Sequence, residues 1–104
     1  MIKVSVLYPY TEGARFDTDY YVNQHLAMIK NLVGTALQKM ELEEGVSGGM
    51  PGSKPVYQAA VHMYFETTDA FFQSFGPHAS KIVKDVANYT DIRPLTQIGS
   101  VRSL

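Results

Sequence analysis

From Val56 to Glu66 the side chains alternate residue by residue: Tyr57, Ala59, Val61, Met63 and Phe65 fall on one side, Gln58, Ala60, His62 and Tyr64 on the other. A period of two held over that length predicts a strand with one buried face. The residues after Glu66 narrow the fold further. Thr67 or Thr68 can cap a helix with its hydroxyl, Asp69 places negative charge in the first turn, and Phe71, Phe72 and Phe75 supply surface to bury. Gly76-Pro77 is expected to break that helix. A second helical stretch from Pro77 or His78 to Ala87 then gathers Ile82, Val83 and Val86, leaving Lys81, Lys84 and Asp85 for the outer side or an edge.

The first half repeats this strand-then-helix order. Residues 2–8 alternate Ile2, Val4, Val6 and Tyr8 against Lys3, Ser5 and Leu7, and Pro9 ends the strand. After a turn-rich connection over 10–15, Asp17 or Thr18 can act as an N-cap, and Gly34 can terminate a helix running from about 18 to 33. Val22, Leu26, Ile29 and Val33 make one apolar stripe, with Tyr21, His25, Met28 and Leu32 beside it. His25 therefore lies on the edge of the buried face, where an imidazole can look into a cleft.

Two more strands complete the pattern. Residues 35–46 are expected to be extended, with Ala36, Met40 and Leu42 opposite Lys39, Glu41 and Glu43, although Leu42-Glu43-Glu44 would also suit a helix. Residues 45–55 hold too much glycine and proline for regular structure, and their order is not that of a phosphate-binding loop. They read as a mobile hairpin loop or lid. Asn88 to Asp91 is turn-like, and 94–101 can form a last strand.

The order β-α-β-β-α-β predicts an α+β, ferredoxin-like antiparallel sheet with both helices on one face. The other face is left uncovered, and apolar residues on both sides of the first strand make it a contact surface. A homodimer joined through that sheet face is the expected solution. A chain of 104 residues forms one domain, hiding roughly 65% of its extended-chain surface.

Composition excludes several functions. A net charge of −1 with scattered basic residues leaves no footprint for nucleic acid. The absence of cysteine removes disulfides, thiolate metal sites and cysteine nucleophiles. No two histidines stand four residues apart and no His-x-His occurs, so no metal site is expected. The first eight residues alternate like a strand and lack the apolar run of a leader or membrane span, so the expected location is the cytoplasm.

Phe16-Asp17 with Tyr20-Tyr21 and His25, the strand Tyr57 to Phe65, the element Thr68-Asp69-Ala70-Phe71, the run from Asp85 to Asp91, and Pro94 with Gln97-Ile98-Gly99 together resemble the EthD family. That family is named for ethyl tert-butyl ether degradation. The resemblance implies a dimeric α+β barrel of two ferredoxin-like protomers. Relatives in the same superfamily include methylmuconolactone isomerases, polyketide cyclases, cofactor-free monooxygenases and haem-binding enzymes, so the fold does not choose the chemistry. Many family members follow the helix histidine with a small residue, proline and leucine; this chain has Leu26-Ala27-Met28.

The residues and the resemblance select His25 as the catalytic candidate, an imidazole that can move a proton on carbon beside a carbonyl or lactone. Tyr8, Tyr21 and Met28 are expected to shape the walls of a pocket between sheet and helices. His62 and Tyr64, sharing a strand face with Gln58, are further substrate-binding candidates, or else the polar half of an amphipathic strand. Asp85 either orients a histidine or binds substrate, or else is a solvated helix residue. His78 is a haem-ligand candidate by analogy with distant relatives, or else a surface residue. The expected function is proton transfer, of isomerase, cyclase or monooxygenase-like type and without a cofactor, on a hydrophobic cyclic or carbonyl compound in a catabolic or secondary-metabolite pathway. The alternative is a non-catalytic dimeric module that binds a small hydrophobic molecule or assists a degradation system.

Overall fold

Strand β3, Tyr57–Phe65, sits in the interior of the sheet. It pairs antiparallel with β2 (Lys39–Glu44) on one side and with β1 (Ile2–Pro9) on the other. Strand β4 (Leu95–Ser100) pairs antiparallel with β1, giving the order β2-β3-β1-β4. The computed structural model describes all 104 residues, and the topology is the ferredoxin-like one expected from the element order.

Register decides which residues share a face. Val4, Val6 and Tyr8 lie opposite Met63, Val61 and Ala59, while Ser5 lies opposite His62 and Lys3 opposite Tyr64. The first set is covered by both helices. Val4, Tyr8, Ala59, Val61, Met63 and Phe65 belong to one core cluster with Tyr21, Leu26, Ile29, Val33, Phe71 and Ile82. The second set faces away from the helices. Only Leu7, Ala60 and Leu95 make an apolar row there, and the rest of the open face is polar or charged, which corrects the expectation of an uncovered apolar face.

Helix α1 spans 18–33. Asp17 caps it, its Oδ1 accepting from the Tyr20 N–H at 3.1 Å. Gly34, at φ 70°, ends it with a backbone conformation that a side chain would resist. The middle of the helix, Tyr21–Leu26, is π-helical. Its i→i+5 hydrogen bonds widen the turn, and this changes which residues face inward. Tyr21 and His25 are buried and Val22 is 42% exposed, so the expected apolar stripe starting at Val22 is displaced by this segment.

Helix α2 spans 68–88. Thr67 caps it, accepting from the Ala70 N–H at 3.0 Å. Gly76-Pro77 interrupts it as expected: the α-helical turn ends at Phe75, Gly76–His78 is a 3-10 turn, and a second α-helical stretch, Ala79–Asp85, runs into another 3-10 turn, Val86–Asn88. Proline is tolerated in the first turn of such a segment because its missing N–H would have no partner there. The tighter turn shifts the helix's phase. Phe71 and Ile82 face the core; Phe72, which precedes the turn and lies one residue off the Phe71–Phe75 face, is exposed, as is Val83 beyond it.

Strand β2 is shorter than expected because Gly34–Ala36 completes the exit from α1 as a 3-10 turn. The glycine-rich connection to β3 is irregular as expected, and Gly45 sits where a Cβ would collide with the Tyr57 carbonyl oxygen. None of residues 45–55 lines the central cavity, so this loop is no lid over it.

Candidate active site

The wide turn of α1 brings Tyr21 and His25 into register. Their rings stack with centroids 5.6 Å apart and planes 17° from parallel. Around them Tyr8 from β1, Phe16 from the connection, and Tyr89 just beyond α2 form an aromatic cluster, packed edge to face or tilted at 4.8 to 6.0 Å. Geometry of that kind adds roughly 0.5–1.5 kcal/mol per pair beyond simple burial.

Backbone contacts hold the contributing segments together. The Asp17 N–H donates to the Tyr89 carbonyl at 2.8 Å, and Phe16 makes an isolated bridge to Thr90. Arg15 donates to the Ala87 carbonyl at 2.8 Å and the Asn88 carbonyl at 3.3 Å. This places a cation on carbonyls that the end of α2 leaves unpaired. The start of α1 and the end of α2 are thereby fixed against one another.

That junction delivers Asp85 to His25. The Asp85 Oδ2 lies 2.9 Å from His25 Nδ1, while Oδ1 accepts from the Tyr20 hydroxyl at 2.7 Å and from Asn88 Nδ2 at 2.9 Å. Burial pushes the His25 imidazole below its ordinary value, against an opposing pull from Asp85. Burial alone would raise the Asp85 carboxyl, but hydrogen bonds from Asn88, His25 and Tyr20 outweigh it and hold the group below the usual carboxylate range. At neutral pH the pair is therefore a neutral imidazole and a carboxylate. An ionised carboxylate only accepts, so Nδ1 carries the proton and Nε2 carries a lone pair. Nε2 makes no hydrogen bond within the chain.

His25 lines a cavity of about 150 Å³ between the sheet and the helices, where twelve of fifteen lining residues are hydrophobic. Tyr8 and Tyr21 line it as well. The Tyr8 hydroxyl is 2.5 Å from the Tyr89 hydroxyl and also interacts with the fully buried hydroxyl of Tyr21. Burial raises all three phenols, so each keeps its proton. The arrangement offers one base, Nε2, beside a largely apolar cavity.

Residues 12–93 match the EthD domain. The chain belongs to the EthD family. An EthD-like protein from Ralstonia eutropha JMP134 is 40% identical, over 95% of this chain and 89% of that one, with a TM-score of 0.90. An EthD family protein from Bacillus halodurans C-125 is 18% identical over 98% and 99% of the two chains, with a TM-score of 0.69. A dimeric ferredoxin-like protein of unknown function from Thermobifida fusca is 16% identical over 96% and 90%, with a TM-score of 0.59. These last two likenesses show the fold. No curated protein matches the chain.

Of the site residues anticipated for this EthD protein, Tyr8, Tyr21 and His25 converge on one cavity. Met28 is half-buried against the core and does not line it. His62 and Tyr64 lie on the opposite face of the sheet. There His62 bonds Ser5 Oγ through Nδ1 at 2.8 Å and Glu43 Oε1 through Nε2 at 3.0 Å, and Tyr64 donates to Glu41 at 3.0 Å. His78 is half-buried and outside the cavity. Nowhere do three His, Cys, Asp or Glu side chains converge as a metal site would need, and no helix is long and apolar enough to cross a membrane. Tyr20, Asn88 and Tyr89 do not stand out in the sequence as site residues. The run from Asp85 to Asp91, which contributes to the family resemblance, is the signal that could have marked two of them.

Proposed function

We propose that this EthD protein is a small enzyme that moves a proton on carbon beside a carbonyl or lactone group, using its own side chains. The observation that carries the reading is the buried His25–Asp85 pair with Nε2 unpaired at an apolar cavity. Asp85 fixes the tautomer and stabilises the imidazolium that forms when Nε2 takes a proton. Tyr20 and Asn88 hold the carboxylate in place, and Tyr8 and Tyr21 contact the substrate. A base with a lowered pKa stays unprotonated through neutral pH, so turnover is expected to be level near pH 7 and to fall on acidification.

The protein is proposed to work as a homodimer joined through the open sheet face. The dimeric Thermobifida protein of the same fold supports this assembly, as does the ordered row of side chains on that face.

The test is exchange of the α-protons of cyclohexanone in deuterated water, followed by NMR. Wild type is expected to accelerate exchange, and His25→Gln to lower the enzymatic rate by roughly 10²–10⁴ with the fold retained. Equal rates in the two proteins would rule out His25 as the base. Binding without exchange in wild type would leave the non-catalytic binding module as the better reading.

A further inference from the structure

The His25 ring is held in one orientation. Asp85 Oδ2 lies 2.9 Å from Nδ1 and, as a carboxylate, can only accept, so the ring proton sits on Nδ1 and Nε2 presents a lone pair. Burial outweighs the pull of Asp85 and keeps a second proton off the ring at neutral pH. Nε2 makes no hydrogen bond in the chain, yet it is not sealed in by its neighbours, so a molecule in the cavity can reach it. The complement of a lone pair in an apolar setting is a donor, and the chain supplies none.

The walls decide what carries that donor. Tyr8, Tyr21, Phe71 and Phe75 line the cavity, and aromatic faces and edges pack well on another aromatic ring. The volume of about 150 Å³ equals that of an engineered protein cavity that takes up benzene. His25, Val61 and Met63 line its buried end, whereas Val83 on α2 and Thr96 on β4 line it and are exposed. The cavity therefore opens between that helix and that edge strand, and one ring can enter there. No lysine or arginine lines the walls, so an anion would enter without a counter-charge, which apolar surroundings penalise heavily.

We infer that the cavity recognises a neutral single-ring phenol, whose hydroxyl donates to His25 Nε2. This deepens the proton-transfer reading and rests on it only for what happens after binding. A phenol is the enol form of a cyclic dienone: when the two interconvert, a C–H bond beside the carbonyl breaks, an O–H bond forms, and no other reactant is consumed. The hydroxyl so formed is the donor that Nε2 lacks. Recognition of that hydroxyl stands apart from the step that makes it.

The experiment is an NMR titration of wild type and His25→Leu, ¹⁵N-labelled at histidine, with phenol, toluene and benzoate at pH 7, where a phenol ionising near about pH 10 is neutral. Toluene has the shape of phenol without its donor, and benzoate adds a charge. Phenol is expected to move the Nε2 signal of wild-type His25 away from its bare-lone-pair position, and toluene to leave it there. That readout holds even if the variant fails to fold. His25→Leu is expected to weaken phenol at least about fivefold and to leave toluene within about twofold. Benzoate is expected to bind wild type at least about tenfold more weakly than phenol.

The inference is overturned if phenol does not bind, if saturating phenol leaves the Nε2 signal unmoved, if toluene moves it as far, if benzoate binds as tightly as phenol, or if the folded variant weakens phenol and toluene equally. Exchange at the α-carbons of cyclohexanone is read separately. Phenol held at Nε2 without His25-dependent exchange removes the proton-transfer reading and leaves this one. Exchange with an Nε2 signal that phenol does not move does the reverse.

Discussion

His25, above the covered face of the sheet, and His62, on its open face, each pair with a carboxylate, yet their circumstances differ. His62 uses both ring nitrogens, one on Ser5 and one on Glu43, and Glu43 is a largely exposed partner. His25 uses one nitrogen on Asp85, is 3% exposed, and turns the other toward an apolar cavity. A histidine with both ring nitrogens bonded on the open face orients its neighbours. One with a spare lone pair beside a largely apolar cavity can take a proton from a bound molecule.

The sharpest way to break that comparison is to alter the carboxylate of the buried pair. Asp85 Oδ1 accepts from two donors, Tyr20 and Asn88, so in Asp85→Asn the amide oxygen takes that place and the NH₂ group faces His25 Nδ1. The imidazole must then accept at Nδ1 and carry its proton on Nε2, which removes the base without removing the ring. Exchange of cyclohexanone α-protons is expected to fall by roughly 10²–10⁴, comparable to His25→Gln. A loss below about threefold, measured by the same NMR assay, would mean that Asp85 does not set the tautomer.

The matching change on the open face has the smallest expected effect. His62→Gln keeps a side chain able to bond Ser5 and Glu43, and it lies across the sheet from the cavity. Its exchange rate should stay within about twofold of wild type, since His62 touches neither the base nor the cavity. A drop as large as that of His25→Gln would show that the open face takes part in the chemistry and would erase the distinction between the two histidines.

The fold was largely legible because its signals are local. Alternation marked β1 and β3, Asp17 or Thr18 and Gly34 bounded α1, and Thr67 or Thr68 marked the start of α2. In the first helix the misreading at Val22 comes from a change of helical phase that no single residue type announces. The π-helical segment turned Val22 outward and Tyr21 and His25 inward, and beyond the 3-10 turn at Gly76–His78 Ile82 is buried while Val83 is exposed. The site was half legible. His25 and Tyr21 stand out by helical spacing, and Tyr8 by strand alternation. Asp85 comes from 60 residues away, and only tertiary packing brings it to the imidazole. His62 and Tyr64 were weaker candidates than His25 in sequence, and alternation assigns residues to faces without saying which face the helices cover.

Catalysis of this kind turns on the protonation state of one ring, and ¹⁵N NMR of the histidine side chains across a pH titration reads it directly, with the His25 signals assigned by their loss in His25→Gln. The expected result is a neutral imidazole at pH 7, protonated on Nδ1 and bare on Nε2, gaining its second proton only below its ordinary value of 6.5. An imidazolium at pH 7, or a neutral ring with its proton on Nε2, would contradict the assignment of His25 as the base.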